Sequence, residues 1–201
     1  LKEAEPLFTR SITIAEATYG PDHIEVASKL HGLGGLYILM GRYSDAQRLF
    51  KRSMSIREQA LGFEHPQVAI SLSDLAMFTD PAESERLYKR SLAINEKAQN
   101  HVEAVKVLNN LAQLYERQGR LREAEEFMKR SLSLYEEKYG RDHLLVAQLQ
   151  LNLARNYHLQ RRYAEAESIQ RRSLAFIEKV TGLTSDLTGY ALNELAMTLR
   201  D

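Results

Sequence analysis

Four histidines recur at one place in a repeating pattern: His23, His65, His101 and His143. Imidazole is a common metal ligand and a proton carrier near neutral pH, so four copies invite a metal or acid–base reading. Their spacing argues against it. Equivalent positions in a repeat array lie one repeat apart, so they cannot converge on one ion. These histidines are expected in the first turn of a helix, flanking its N-cap. His31 and His158 fall within helices, where a solvated or partner-facing role fits better than catalysis. Glu125/Glu126 and Glu136/Glu137 are neighbours in sequence, point in different directions on a helix, and form no acid–base couple. HLLVA (143–147) is not HExxH, and no P-loop, nucleophile elbow or dinucleotide fingerprint occurs. GLGG (32–35) follows helical residues, not a strand, and reads as close helix packing. There is no cysteine, which removes disulfides, thiolate zinc sites and Cys nucleophiles. No metal, no cofactor and no catalysis are expected.

Composition narrows the partners. Of the 201 residues, 44% are hydrophobic and 27% charged, an ordinary globular balance. Lys+Arg and Asp+Glu both number 27, so the basic excess that a general nucleic-acid binder needs is missing. A polybasic membrane patch is equally unsupported, and the uncharged stretch 31–41 is too short to span a bilayer. The N-terminus, LKEAEP, carries no signal-peptide pattern, and a reducing cytoplasm is the expected compartment. The chain begins with Leu, so a piece of a longer protein is expected. No low-complexity linker or domain boundary appears.

The elements that position these residues come from internal repetition. Residues 3–23 and 123–143 are identical at 10 of 21 positions. Aligned on Arg-Ser, five copies appear: Arg10-Ser11, Arg52-Ser53, Arg90-Ser91, Arg130-Ser131 and Arg172-Ser173, spaced 42, 38, 40 and 42 apart. A Glu follows each Ser by five residues, and a small residue (Ala4, Ala46, Ser84, Ala124, Ala166) precedes it by seven. Each unit holds two helical patterns. Helix A is clearest at Leu108, Leu111, Ala112 and Tyr115; helix B at Ala124, Phe127, Met128, Ser131, Leu132 and Tyr135. Gly41 and Gly119 end A helices, and Gly20, Gly62, Gly140 and Gly182 end B helices. The predicted N-caps are Asp22, Glu64, Asn100, Asp142 and Thr184, with Glu25, Gln67 and Glu103 as capping-box partners. Asp80-Pro81 predicts a cap followed by Pro at the first helical position. The chain thus predicts an all-α array of about ten helices: helix B at 3–19, A/B pairs at 23–61, 65–98, 101–139 and 143–181, and a last helix A at 185–200. The second helix A lacks four residues before its turn, which predicts a tight corner. Stacked hairpins bury a shared core, and the small residues of helix B allow close approach of helix axes.

The pattern resembles the tetratricopeptide repeat (TPR): Leu111, Ala112, Tyr115, Gly119, Ala124, Met128 and Ser131 meet it, as do Leu33, Gly34, Tyr37, Gly41, Ala46, Phe50 and Ser53. The period near 42, with LNNLAQLYERQGRLREAE and YGPDH-type loops, is similar to the kinesin light chain subtype. HEAT and armadillo repeats share the period but not the turn Gly and helix A signature. Three departures stand out. Arg161 replaces the turn Gly, Gln170 replaces a helix B aromatic or Met, and Thr79 replaces the helix A Tyr.

The resemblance implies a right-handed α-solenoid of antiparallel helix pairs whose A helices line a concave groove, and a non-catalytic scaffold that binds an extended peptide or partner segment there. In register the groove candidates include Lys106, Asn109, Asn110, Gln113 and Arg117 on one A helix. Gln148, Leu151, Asn152, Arg155 and His158 follow on the next, with Asn193 on the last. Ser28, His31, Gly35, Ile38, Ile70, Ser73, Met77, Tyr190 and Met197 hold the remaining register positions. Asn109-Asn110 match the paired Asn that the resemblance assigns to peptide-backbone binding, and an amide that donates and accepts at once suits that role. Lys106, Arg117 and Arg155, with Arg200, predict a preference for an acidic peptide. A module of a larger enzyme or signalling protein, or end-to-end self-association, is the alternative.

Overall fold

The computed structural model describes residue 1 and residues 3–201. These residues form ten α-helices and no strand. They are α1 (Ala4–Tyr19), α2 (Ile24–Leu39), α3 (Tyr43–Leu61), α4 (Pro66–Ala76), α5 (Pro81–Lys97), α6 (His101–Arg117), α7 (Leu121–Tyr139), α8 (Leu144–Leu159), α9 (Tyr163–Thr181) and α10 (Asp186–Arg200). Even-numbered helices are the A type and odd-numbered ones the B type. Two compact units divide the chain, Leu1–Glu103 and Ala104–Asp201. Within each unit helices adjacent in sequence pack on each other, as short connections require of antiparallel neighbours.

The buried faces follow the repeat. In the first unit Ile12, Ala15, Val26, Ala27, Leu30, Leu33 and Ile56 form a continuous core. In the second, Ala147, Leu151, Ile177 and Ala191 do the same. Leu151, predicted to face the groove, is fully buried here; it sits on the face that packs against α9 and α10. The serine of helix B is small for a reason beyond close approach. Ser53 and Ser91 are buried and donate to the carbonyls of Ala27 and Ala69 at 2.8 and 2.7 Å, bonding each B helix to the A helix before it.

Helix starts differ from the sequence reading by one residue. The caps of α2, α4 and α8 are His23, His65 and His143, whose Nδ1 accepts a backbone N–H two residues on at 3.2 Å. Ser185, not Thr184, caps α10. A neutral imidazole nitrogen accepts as a carboxylate would, and Tyr19 and Tyr139 stack on His23 and His143. That stacking favours the ring over the preceding Asp. Asn100 does accept from the Glu103 N–H, at 3.5 Å. Asp80 caps α5 as predicted, accepting from Ala82 and Glu83.

The turns keep one geometry with or without glycine. Gly41 and Gly119 have φ +74°, and Arg161 takes φ +62° at the equivalent place. The turn thus holds Arg161 in a left-handed conformation, which costs an L-residue roughly 1 kcal/mol or more. Gln99, at φ +54°, does the same after α5. At the shortened corner after α4, Phe78 stacks against Phe50 and Tyr43, and Gln47 donates to the Phe78 carbonyl at 3.0 Å.

Candidate functional site

In the second unit α6 and α8 are both A helices, one repeat apart. Side chains from them converge on a small pocket of about 40 Å³ lined by Asn109, Gln113, Asn152 and Arg155, with Ala112, Met128 and Leu149 also on its walls. It is far below the 300 Å³ or so that a small-molecule site needs. Amide and guanidinium groups around a shallow dimple suit contact with a polypeptide backbone.

Asn109 is oriented by the protein. The buried hydroxyl of Ser131 on α7 donates to its Oδ1 at 3.0 Å. In the first unit the equivalent serines use a backbone carbonyl. Here the side-chain amide takes that proton, which turns its NH₂ away from Ser131. Asn110 is half-buried on α6. Gln113 and Arg117 are exposed on α6, as is Lys106 one turn before Asn110. Gln148 and Asn152 are half-buried on α8.

The remaining predicted residues are more occupied than their register suggested. Arg155 donates to Glu116 Oε2 at 2.7 Å, and Asn156 donates to Oε1 of the same carboxylate at 3.1 Å. His158 on α8 faces α10, with Nδ1 3.2 Å from Thr198 Oγ1 and Nε2 3.5 Å from Asp201. Its ring also meets Tyr163 edge-on. Asn193 is exposed on α10, where it donates to Met197 Sδ at 3.7 Å. It is not among the residues lining the pocket. Sequence reasoning missed Glu116 and Asn156. Their spacing to their partners, about one repeat, was the available signal.

Two electrostatic features frame the face. Burial pushes the Glu194 carboxyl above the usual carboxylate range, against the pull of Arg155 and His158. Burial also raises the Tyr190 phenol. At the turn after α8, Arg162 lies over the Tyr157 ring at 4.1 Å and donates to Glu125 at 2.6 Å. Arg42, Tyr37 and Glu5 repeat this arrangement in the first unit. The turn arginine therefore clamps helix A to the preceding helix B, and belongs to the scaffold.

Among the described residues no group of three or more His, Asp or Glu could hold a metal ion. No helix of those residues is long and apolar enough to cross a membrane.

Comparison with known proteins agrees with this architecture. The tetratricopeptide repeat family model matches residues 1–59, 25–97, 78–137 and 103–179. No curated protein sequence matches the chain. Among solved structures, a candidate kinesin light chain of Podospora anserina with nearly identical TPR-like repeats superposes with TM-score 0.78 at 23% identity, over 89% of this chain and 87% of that one. BtubC (BKLC) from P. vanneervenii gives 0.81 at 18% identity, over 99% and 83%. The signal-transduction ATPase with a tetratricopeptide repeat sensor from Pyrococcus horikoshii gives 0.76 at 14%, over 98% of this chain and 31% of that one. These neighbours share the all-α repeat fold, which is in general a protein-interaction scaffold. With the family model spanning most of its length, the chain belongs to the tetratricopeptide repeat family.

Proposed function

We propose that this protein binds an extended polypeptide segment along the α6–α8 face, without catalysing a reaction. The carrying observation is Asn109. Its oxygen is taken by Ser131 and its NH₂ is left to donate beside Gln113 and Asn152. An extended peptide presents carbonyls and N–H groups at regular spacing, and amides one turn and one repeat apart can pair with them. Lys106 and Arg117 add positive charge along α6 and favour a segment with an acidic residue. Arg155 adds less than its register suggested, because Glu116 already engages it. Charge therefore assists and amide pairing dominates.

A peptide selected on the protein from a random library tests this. Asn109→Asp keeps the acceptor for Ser131 and removes the donor. With Asn152→Asp it is expected to weaken binding about tenfold or more, with the melting temperature little changed. Arg117→Glu is expected to cost about 1 kcal/mol or less. Undiminished binding by the Asn109→Asp/Asn152→Asp protein would refute the reading.

A further inference from the structure

A second pocket in the same unit opens between α7, α8 and α9 and shares no lining residue with the α6–α8 dimple. Its volume is about 460 Å³, and Glu136, Arg141, Ala147, Gln150, Arg172 and Phe176 line it. Its origin is a departure from the repeat. In the first unit the arginines of the second and third Arg-Ser pairs reach back to the glutamate of the preceding B helix. Arg52 meets Glu16 at 2.7 Å and Arg90 meets Glu58 at 2.6 Å. Each also donates to a loop carbonyl, of Pro21 or Phe63, at 3.1 Å. At the last copy the corresponding pair, Arg172 and Glu136, does not close. Arg172 is exposed and makes no hydrogen bond or ion pair with a described residue, while Glu136 faces Arg141 at 3.7 Å.

The residue beneath explains the opening. Leu30, Leu72 and Leu108 fill one register position of the A helices, and all are buried to within 2% exposure. Gln150 stands there in α8, itself only 8% exposed. Its Oε1 accepts from Ser173 at 3.0 Å, and its NH₂ has no partner. That NH₂ is open to the pocket instead of sealed in the core, and is left to donate to whatever enters it. The Gln150 NH₂ and the Arg172 guanidinium are donors that the pocket leaves available. Phe176 and Ala147 provide an apolar wall.

We infer that this pocket binds a compact carboxylate whose oxygens accept from Gln150 and Arg172 and whose apolar body lies against Phe176. Glu136 and Asp142 also border it, so a single negative charge suits it better than two. The carboxylate could come from a small acid or from the C-terminus of a peptide; both present the same group.

Titration of the ¹⁵N-labelled protein with 3-phenylpropionate and with a short peptide ending in a free Phe carboxylate tests the site. Parallel titrations use 3-phenylpropanamide and the peptide's C-terminal amide. Saturable shifts of the Gln150 side-chain amide and the Arg172 Nε–H are expected with the carboxylates. Binding should weaken about tenfold or more with the amides and with Arg172→Gln. Gln150→Leu restores the residue of the other copies, so it is expected to keep or raise the melting temperature while abolishing the Arg172 Nε–H shift. Tighter binding of the peptide, or of the free acid, identifies the source. No shift at millimolar carboxylate, amides binding as well as acids, or unchanged binding by a folded Gln150→Leu protein would overturn the assignment.

Discussion

Asn109 turns its carbonyl oxygen toward a buried serine and its NH₂ away from it, and the proposed binding mode uses that asymmetry. Sequence register placed it on helix A, in line with Gln113. It could not distinguish a free side chain from one engaged across the repeat, because Asn109, Arg155 and His158 are all polar residues at groove register positions. The distinction lies in Ser131, Glu116 and Thr198, residues about one repeat or less away that only packing brings together. Glu194 belongs to the same scale. Burial raises its carboxyl above its unfolded value of about 4.5, so the folded state holds the proton more strongly. Its contribution to stability is full below the unfolded value and declines as pH rises through the raised folded value. Glu194→Gln is therefore expected to gain stability relative to wild type as pH rises from about 4 to about 7, measured by denaturant midpoints. A gain that vanishes toward neutral pH would contradict this sign.

Helices and turns were more legible than side-chain partners. The 3.6-residue periodicity of apolar positions specifies which face is buried, and ten predicted helices match ten observed. Helix starts slipped by one residue because Asp22-His23 and Asp142-His143 each offer two acceptors in a row. The ring wins through stacking on a tyrosine four residues earlier. His143→Ala is expected to cost about 0.5–2 kcal/mol and His143→Asn little, as for other N-caps. The turns carry a sharper test. Arg161 occupies a left-handed conformation that L-residues adopt at a cost of roughly 1 kcal/mol, so Arg161→Gly should stabilise by about that amount. On α2, two adjacent glycines should part company. A Cβ on Gly34 would lie 2.6 Å from the buried Phe50 ring, whereas one on Gly35 meets nothing within 4 Å. Gly34→Ala is expected to destabilise by about 1–3 kcal/mol, and Gly35→Ala to stabilise by about 1 kcal/mol. Thermal or chemical unfolding of the two variants, compared directly, checks both.

For the whole molecule, repetition makes the family readable and the departures from repetition make it particular. A chain of near-equivalent hairpins draws its stability from each hairpin and its nearest neighbours, so a single position can change without collapse of the array. Gln150 in place of leucine, Arg161 in place of glycine and Gln170 in place of an aromatic or Met all fall in the last full repeat. Gln170 is fully buried and donates to the Glu194 carbonyl at 3.2 Å, replacing an apolar contact with a hydrogen bond to α10. The binding claim rests on the α6–α8 face rather than on these replacements. Its most direct measurement is the side-chain amide NMR spectrum on addition of a selected extended peptide. Asn109, Gln113 and Asn152 are expected to shift together and saturate with one affinity. Saturable binding that leaves these three amides unmoved while perturbing other surfaces would contradict the account.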